Sequence, residues 1–237
     1  MRAVVLRTVD DGPRLEEVVV DEPGAGEVLV RMAASGICGS DLHVLQGHSL
    51  AVVFPAVLGH EGAGVVESVG PGVGAVAVGD GVVLTSGIPA ETRLHVDGET
   101  VHPFVGQGTM AEYAVVAEDN LVVVPADVPL ELMALLGCGV LTGVGTVLNG
   151  PRPEPGGSAL VVGCGGVGLN VIQALRLVGA GTVIAIDNNA TRLDGAADFG
   201  ATHLFDSNDI EIGDAVRSVV RAGVDAAYEV VGVSELT

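Results

Sequence analysis

Lysine and tryptophan are absent from the 237 residues, and aromatic side chains make up only 3% of the chain. The ten basic residues are therefore all arginines, set against 30 Asp and Glu, for a formal net charge of −20. A surface so charged repels phosphate backbones and anionic headgroups, which argues against nucleic acid and membrane surfaces as partners. Cysteine is scarce as well. Cys38, Cys138 and Cys164 form an odd, widely separated set, a poor disulfide framework that points to a reducing, cytoplasmic setting. The N-terminus meets Asp10 and Asp11 before the apolar stretch of a signal peptide could form. Two charge-free stretches, 132–151 and 156–175, have the length of a membrane span, but their glycine content fits buried strand-turn-helix segments better.

What is abundant is glycine, 36 residues on a 49% apolar background, which favours short strands and tight turns over a helical bundle. In the first half, the β-branched runs 3–6, 16–20, 27–32, 64–69, 81–85, 111–116 and 121–124 read as strands, and Gly and Pro punctuate them. Their spacing predicts a barrel-like β domain, with a helix at 129–136 that starts on a proline. The segment Pro151-Arg152-Pro153-Glu154-Pro155 can be neither helix nor central strand and marks a boundary, giving domains 1–149 and 150–237. Beyond it strands at 159–162, 182–186, 203–205 and 226–231 alternate with helices at 167–178, 190–199 and 212–221, which predicts a parallel sheet in an α/β arrangement. Four strands are counted where a complete dinucleotide-binding sheet has six.

Gly163-Cys164-Gly165-Gly166-Val167-Gly168 follows one predicted strand and opens a helix, and Asp187 closes the next strand. Glycine at 163 permits the turn, at 165 a close approach of a pyrophosphate, and at 168 close helix–strand packing; the helix N-terminus faces the phosphates. A carboxylate at Asp187 accepts the ribose hydroxyls and repels the 2′-phosphate of NADP, so NAD is the expected coenzyme. Gly166, Val167 and Arg192 complete the expected cofactor residues. For a metal, Cys38, His60 and Cys138 have the right chemistry: two thiolates and an imidazole leave a fourth tetrahedral position open. Each is flanked by glycine, although their spacing alone carries no signal.

Gly36-Ile37-Cys38-Gly39-Ser40-Asp41-Leu42-His43, Gly59-His60-Glu61 with Gly64, Gly70 and Val73, and Gly137-Cys138-Gly139 with Thr142-Gly143 together resemble the zinc-dependent medium-chain alcohol dehydrogenases. The resemblance runs from Met1 to about Val231. It implies a GroES-like catalytic domain followed by an incomplete Rossmann domain, and hydride transfer between an alcohol and NAD. By it, Cys38, His60 and Cys138 ligate one catalytic zinc. Asp41 orients His60, Glu61 is a carboxylate that exchanges with the metal's water, Ser40 and His43 relay the proton, and Thr142 lies beside the nicotinamide. The family's four cysteines for a structural zinc have no counterpart within 87–101, so that site is expected to be missing. Family members also extend past Thr237, which implies a C-terminally incomplete form lacking the strand through which they form homo-oligomers. Two rival readings remain: a non-catalytic nucleotide- or metal-binding remnant, and a zinc-independent reductase of the same fold.

Overall fold

The structure, a computed structural model, describes residues 1–48, 52–87 and 91–232. The chain divides into two compact units, Met1–Cys138 and Gly139–Thr237. In the first, six strands form one sheet in the order β2 (Pro13–Glu17), β1 (Arg2–Leu6), β5 (Ala56–Val57), β9 (Glu99–Pro103), β8 (Leu94–Val96), β3 (Val19–Val20). Five form a second in the order β10 (Tyr113–Ala117), β4 (Glu27–Ser35), β6 (Gly62–Val69), β7 (Gly81–Leu84), β11 (Leu121–Val123). Val28, Val30, Val66, Val82, Leu84 and Val116 close the core of the five-stranded sheet, and Ala3, Val5, Val57 and Val101 that of the six-stranded one. The described residues of the unit also hold two short α-helices, α1 (Gly39–Leu45) and α2 (Leu130–Met133), the latter running into a 3-10 turn at Ala134–Gly137.

Several elements differ from the sequence reading. The strand expected at 16–20 is two strands, because buried Val18 turns the chain between a β2 paired to β1 and a β3 paired to β8. The hairpin β8–β9 was not foreseen, although its Asp97-Gly98 turn, with φ of 50° and 83°, is a strong hairpin signal.

Glu27, at the start of β4, is buried and accepts hydrogen bonds from the Gly24 and Glu91 amides and from Arg93 Nε at 2.7 Å. One carboxylate thus pins the segment 91–93 to the second sheet. Burial alone would raise its pKa, but the donors from Gly24, Arg93 and Glu91 hold it below the ordinary 4.5. A depressed carboxylate contributes stability that is complete above 4.5 and drains away as pH falls through the folded-state value. Glu27→Gln, which removes one of the two carboxylates on Arg93 and leaves Glu91, is expected to cost about 1 kcal/mol. The measurement is the urea midpoint of the first unit, whose loss on acidification should be smaller in the variant than in the parent.

In the second unit β12 (Ser158–Val162), β13 (Thr182–Asp187), β14 (His203–Asp206) and β15 (Ala226–Glu229) form a fully parallel sheet in the order β14-β13-β12-β15. β12 is buried along its whole length, as a strand covered on both faces must be. Ala159, Val161, Val183 and Ala185 meet α3 (Gly139–Asn149), α4 (Gly166–Leu177) and α5 (Ala190–Phe199) on one face. Leu160, Val162, Ile184 and Ile186 meet α6 (Ile212–Val219) on the other. The helix α3 occupies sequence expected as part of a strand-turn-helix segment. Gly143 explains it, because a Cβ there would strike Asn170 and the Val167 carbonyl on α4. No single described helix is long and apolar enough to cross a membrane.

Candidate metal and dinucleotide sites

Three loops of the first unit carry the metal candidates. Cys38 ends the approach to α1, which starts without a hydroxyl cap. Asp41 instead reaches back from the first turn to accept the Cys38 amide at 2.9 Å. His60 lies between β5 and β6, behind Gly59, whose φ of 92° and tight contact with Thr109 and Met110 admit only glycine. Cys138 follows the 3-10 turn, which packs so closely on β7 that a Cβ on Gly137 would meet the Leu84 carbonyl. Their ligand atoms all lie within 4.8 Å of one another, with 3.9 Å between the two sulfurs. Two sulfurs and one imidazole nitrogen fit zinc, and three ligands leave a coordination position for a small molecule.

Asp41 organises the cluster. It is buried, its Oδ2 accepts the Cys38 amide, and its Oδ1 accepts the Gly59 amide at 3.0 Å and stands 3.5 Å from His60 Nδ1. That last contact is misaligned for a hydrogen bond, but it directs the negative charge at the imidazole. Burial would lower the His60 pKa, whereas Asp41 and then Cys38 carry it up to about 9. The Cys38 thiol is drawn down to about 3, first by the hydrogen bond with Cys138 and then by the one with His60. Deprotonated sulfur is the form that binds metal. Asp41→Asn keeps the shape but removes the charge and one of two acceptors, and should weaken zinc binding about 10- to 100-fold. Competition with a chromogenic chelator measures it.

The other expected residues fall around this cluster unevenly. Glu61 is buried beside it, with its carboxylate against Gly36, where any Cβ would collide with it. Ser40 is exposed, its Oγ 4.0 Å from Cys38 Sγ. His43 is exposed three residues further along α1, its ring 6.4 Å from that of His48. Phe104, which the sequence did not single out, stands edge-on to His60 with ring centroids 5.3 Å apart. No spacing links these two positions, so the contact had no sequence signal.

In the second unit Gly163, with φ of 96°, turns the chain out of β12, and the Gly168 Cα packs against the Gly163 carbonyl. Around Gly165 and Gly166 nothing lies within 4 Å of an added Cβ, an open cradle that suits a closely approaching phosphate. Val167 is half-buried in the first turn of α4. Asp187 is buried at the end of β13, where Oδ2 accepts the Cys164 amide at 2.7 Å and Oδ1 the Asn189 amide at 2.9 Å. Arg192 Nη1 lies 3.9 Å from it. Asp187 and Arg192 line one small cavity with Gly163, Ser207 and Ile212. Thr142 is exposed on α3 and faces a separate cavity of about 910 Å3 beside β15. Cys164 is buried and its thiol is pushed up to about 12, by desolvation and then by Asp187, which leaves it chemically inert.

Residues 24–126 match the alcohol dehydrogenase GroES-like domain, and residues 166–237 match the zinc-binding dehydrogenase family. The chain is 36% identical to alcohol dehydrogenase 6 of Rattus norvegicus, over 93% of this chain and 67% of that protein. It is 37% identical to an S-(hydroxymethyl)glutathione dehydrogenase of Escherichia coli, over 93% and 69%. Among solved structures, an alcohol dehydrogenase zinc-binding domain protein from Burkholderia ambifaria overlays with a TM-score of 0.93 at 38% identity, covering 99% of this chain and 71% of that one. Benzyl alcohol dehydrogenase from Acinetobacter calcoaceticus overlays at 0.91 and 33% identity, with the same coverage.

Proposed function

Since the chain belongs to the zinc-dependent medium-chain alcohol dehydrogenase family, we propose that it is an oxidoreductase that interconverts an alcohol and NAD+ with the carbonyl compound, NADH and a proton. When bound, zinc supplies Lewis acidity at the alcohol oxygen and NAD supplies the two-electron acceptor. Cys38, His60 and Cys138 would hold the metal, and Asp41 fixes the two loops that present Cys38 and His60. Glu61 is the buried carboxylate beside that centre. Ser40 and His43, three residues apart on α1 and so on one helix face, form an outward path for the hydroxyl proton. In the second unit the Gly163–Gly168 loop and the first amides of α4, Val167 included, cradle the pyrophosphate. Asp187 holds the adenosine ribose with Arg192 at its rim, and Thr142 contacts the nicotinamide end. The cytoplasm suits a centre that needs both thiols reduced.

The convergence of Cys38, His60 and Cys138 carries this reading, because it gathers from three distant loops a donor set of two sulfurs and an imidazole that suits zinc. It also weighs against a zinc-independent reductase, to which such a cluster is useless. The test is elemental analysis combined with NADH absorbance. We expect about one zinc per chain, and NADH formation from a primary alcohol that stops when a chelator strips the metal. Two tightly held zincs, or turnover that survives stripping, would defeat it.

A further inference from the structure

Thr109, shortly before β10, is almost fully buried although it carries a hydroxyl. Its amide donates to the Gly59 carbonyl at 3.1 Å, and the Met110 amide donates to the Leu58 carbonyl at 2.9 Å. This stretch therefore runs beside the residues that lead into His60. A β-branched side chain offers two γ substituents, and both are engaged. The hydroxyl lies 2.8 Å from Ser35 Oγ and 3.5 Å from the Glu61 carbonyl. A Cβ on Gly59 would strike that hydroxyl, and a Cβ on Gly62 would strike the methyl group. The two glycines that bracket His60 and Glu61 are thus closed down on the two branches of one side chain.

The same hydroxyl reaches toward Cys38. Ser35 ends β4, its Oγ stands 3.3 Å from the Gly36 carbonyl, and the Gly36 amide donates to the Glu61 carbonyl at 2.8 Å. Each hydroxyl has one proton to give. If Ser35 donates to Thr109, the Thr109 proton goes to the Glu61 carbonyl. If Thr109 donates to Ser35, the Ser35 proton goes to the Gly36 carbonyl. Either arrangement joins the strand that leads to Cys38 with the loop that carries His60. Asp41 takes the Gly59 amide, ahead of His60, whereas Thr109 engages that loop both ahead of His60 and after it. Metal bonds of about 2.0 to 2.3 Å to nitrogen and sulfur leave little room for one loop to drift against the other. We propose that Thr109 is a positioning residue of the metal centre, whose hydroxyl, through Ser35 and the Glu61 carbonyl, sets the separation between the His60 ring and the Cys38 sulfur. The proposal rests on the reading of this cluster as the zinc site.

The experiment loads the protein with cobalt(II), records the visible and near-ultraviolet bands of the cobalt–thiolate centre, and measures zinc affinity by chelator competition. Those bands follow the geometry of the donors, so a variant that is only less stable keeps the parent spectrum in its folded fraction. Thr109→Val retains the branched shape and loses the hydroxyl. Its bands should move, and its zinc affinity should fall about tenfold. Thr109→Ser keeps the hydroxyl and should give the parent spectrum, although loss of the buried methyl group lowers its melting temperature. Ser35→Ala removes the partner hydroxyl at a half-buried position and should move the bands as Thr109→Val does, so the test survives a valine variant that fails to fold. Parent-like bands in folded Thr109→Val or in Ser35→Ala, or bands that move as far in Thr109→Ser, would overturn the proposal while leaving the zinc assignment standing. A parent protein without cobalt–thiolate bands would overturn the proposal and the zinc reading together.

Discussion

Cys38→Ser is expected to retain no zinc through dialysis and to oxidise alcohol at least about 10³-fold more slowly, the rate equivalent of losing several kcal/mol of metal-derived charge stabilisation. A serine hydroxyl stays protonated at neutral pH and is a poor zinc donor, so only one imidazole and one sulfur would remain. The substitution is otherwise mild. The Cys38 side chain is only half-buried, and the backbone amide that ties its loop to Asp41 is untouched. Circular dichroism should therefore overlay with the parent, separating metal loss from misfolding. Cys164→Ser is the control. That thiol is buried in the second unit against the Ile186 carbonyl, and its replacement should leave the zinc content unchanged. Full zinc occupancy in Cys38→Ser would remove the central support for the metal assignment.

Gly168→Val is expected to weaken NAD binding by more than about 100-fold and to destabilise the second unit by about 2–3 kcal/mol, the usual cost of overpacking. A Cβ at 168 runs into the Gly163 carbonyl, so α4 must retreat from the loop that shapes the phosphate cradle. Gly165→Ala separates the two effects. Nothing in the protein lies near its added methyl group, which instead fills the cradle. It should lose coenzyme affinity in calorimetry while its melting temperature stays within a degree or two of the parent, a surface-like effect. If Gly165→Ala bound NAD normally, the phosphates would have to sit elsewhere.

The second unit was the more legible part of the chain. Its strands are short apolar runs buried on both faces, its helices follow at regular intervals, and Gly163–Gly168 falls at the first strand-to-helix turn. All four strands appear where their apolar runs stand, with ends shifted by a residue or two. The first unit was harder, because its pairing is set by contacts between distant segments. Pro13–Glu17 carries little β signal and becomes a strand only by lying against β1. The helix α1 has seven residues, with glycine first and no hydroxyl cap, and its start depends on Asp41 reaching back to the Cys38 amide. The segment 139–149 holds glycines that disfavour an isolated helix by about 1 kcal/mol each. It is helical because Gly143 lets it press against α4. For the metal centre, spacing alone gave no sign that three loops converge, and the sequence conveyed it only through the family motifs around Cys38, His60 and Cys138.

Asp41 gives the metal centre a kinetic character. Through its two oxygens it already ties the Cys38 and Gly59 amides together within the folded protein. The conformational freedom of two ligand-bearing loops is therefore surrendered during folding, before any ion arrives. Such a site resembles a macrocycle more than an open-chain chelator. The Cys38 and His60 donors cannot be peeled away one after the other by the opening of one loop, because each of these two loops is held by the carboxylate that holds the other. Zinc exchange should accordingly follow the rate of local unfolding around α1 rather than the strength of a competing chelator.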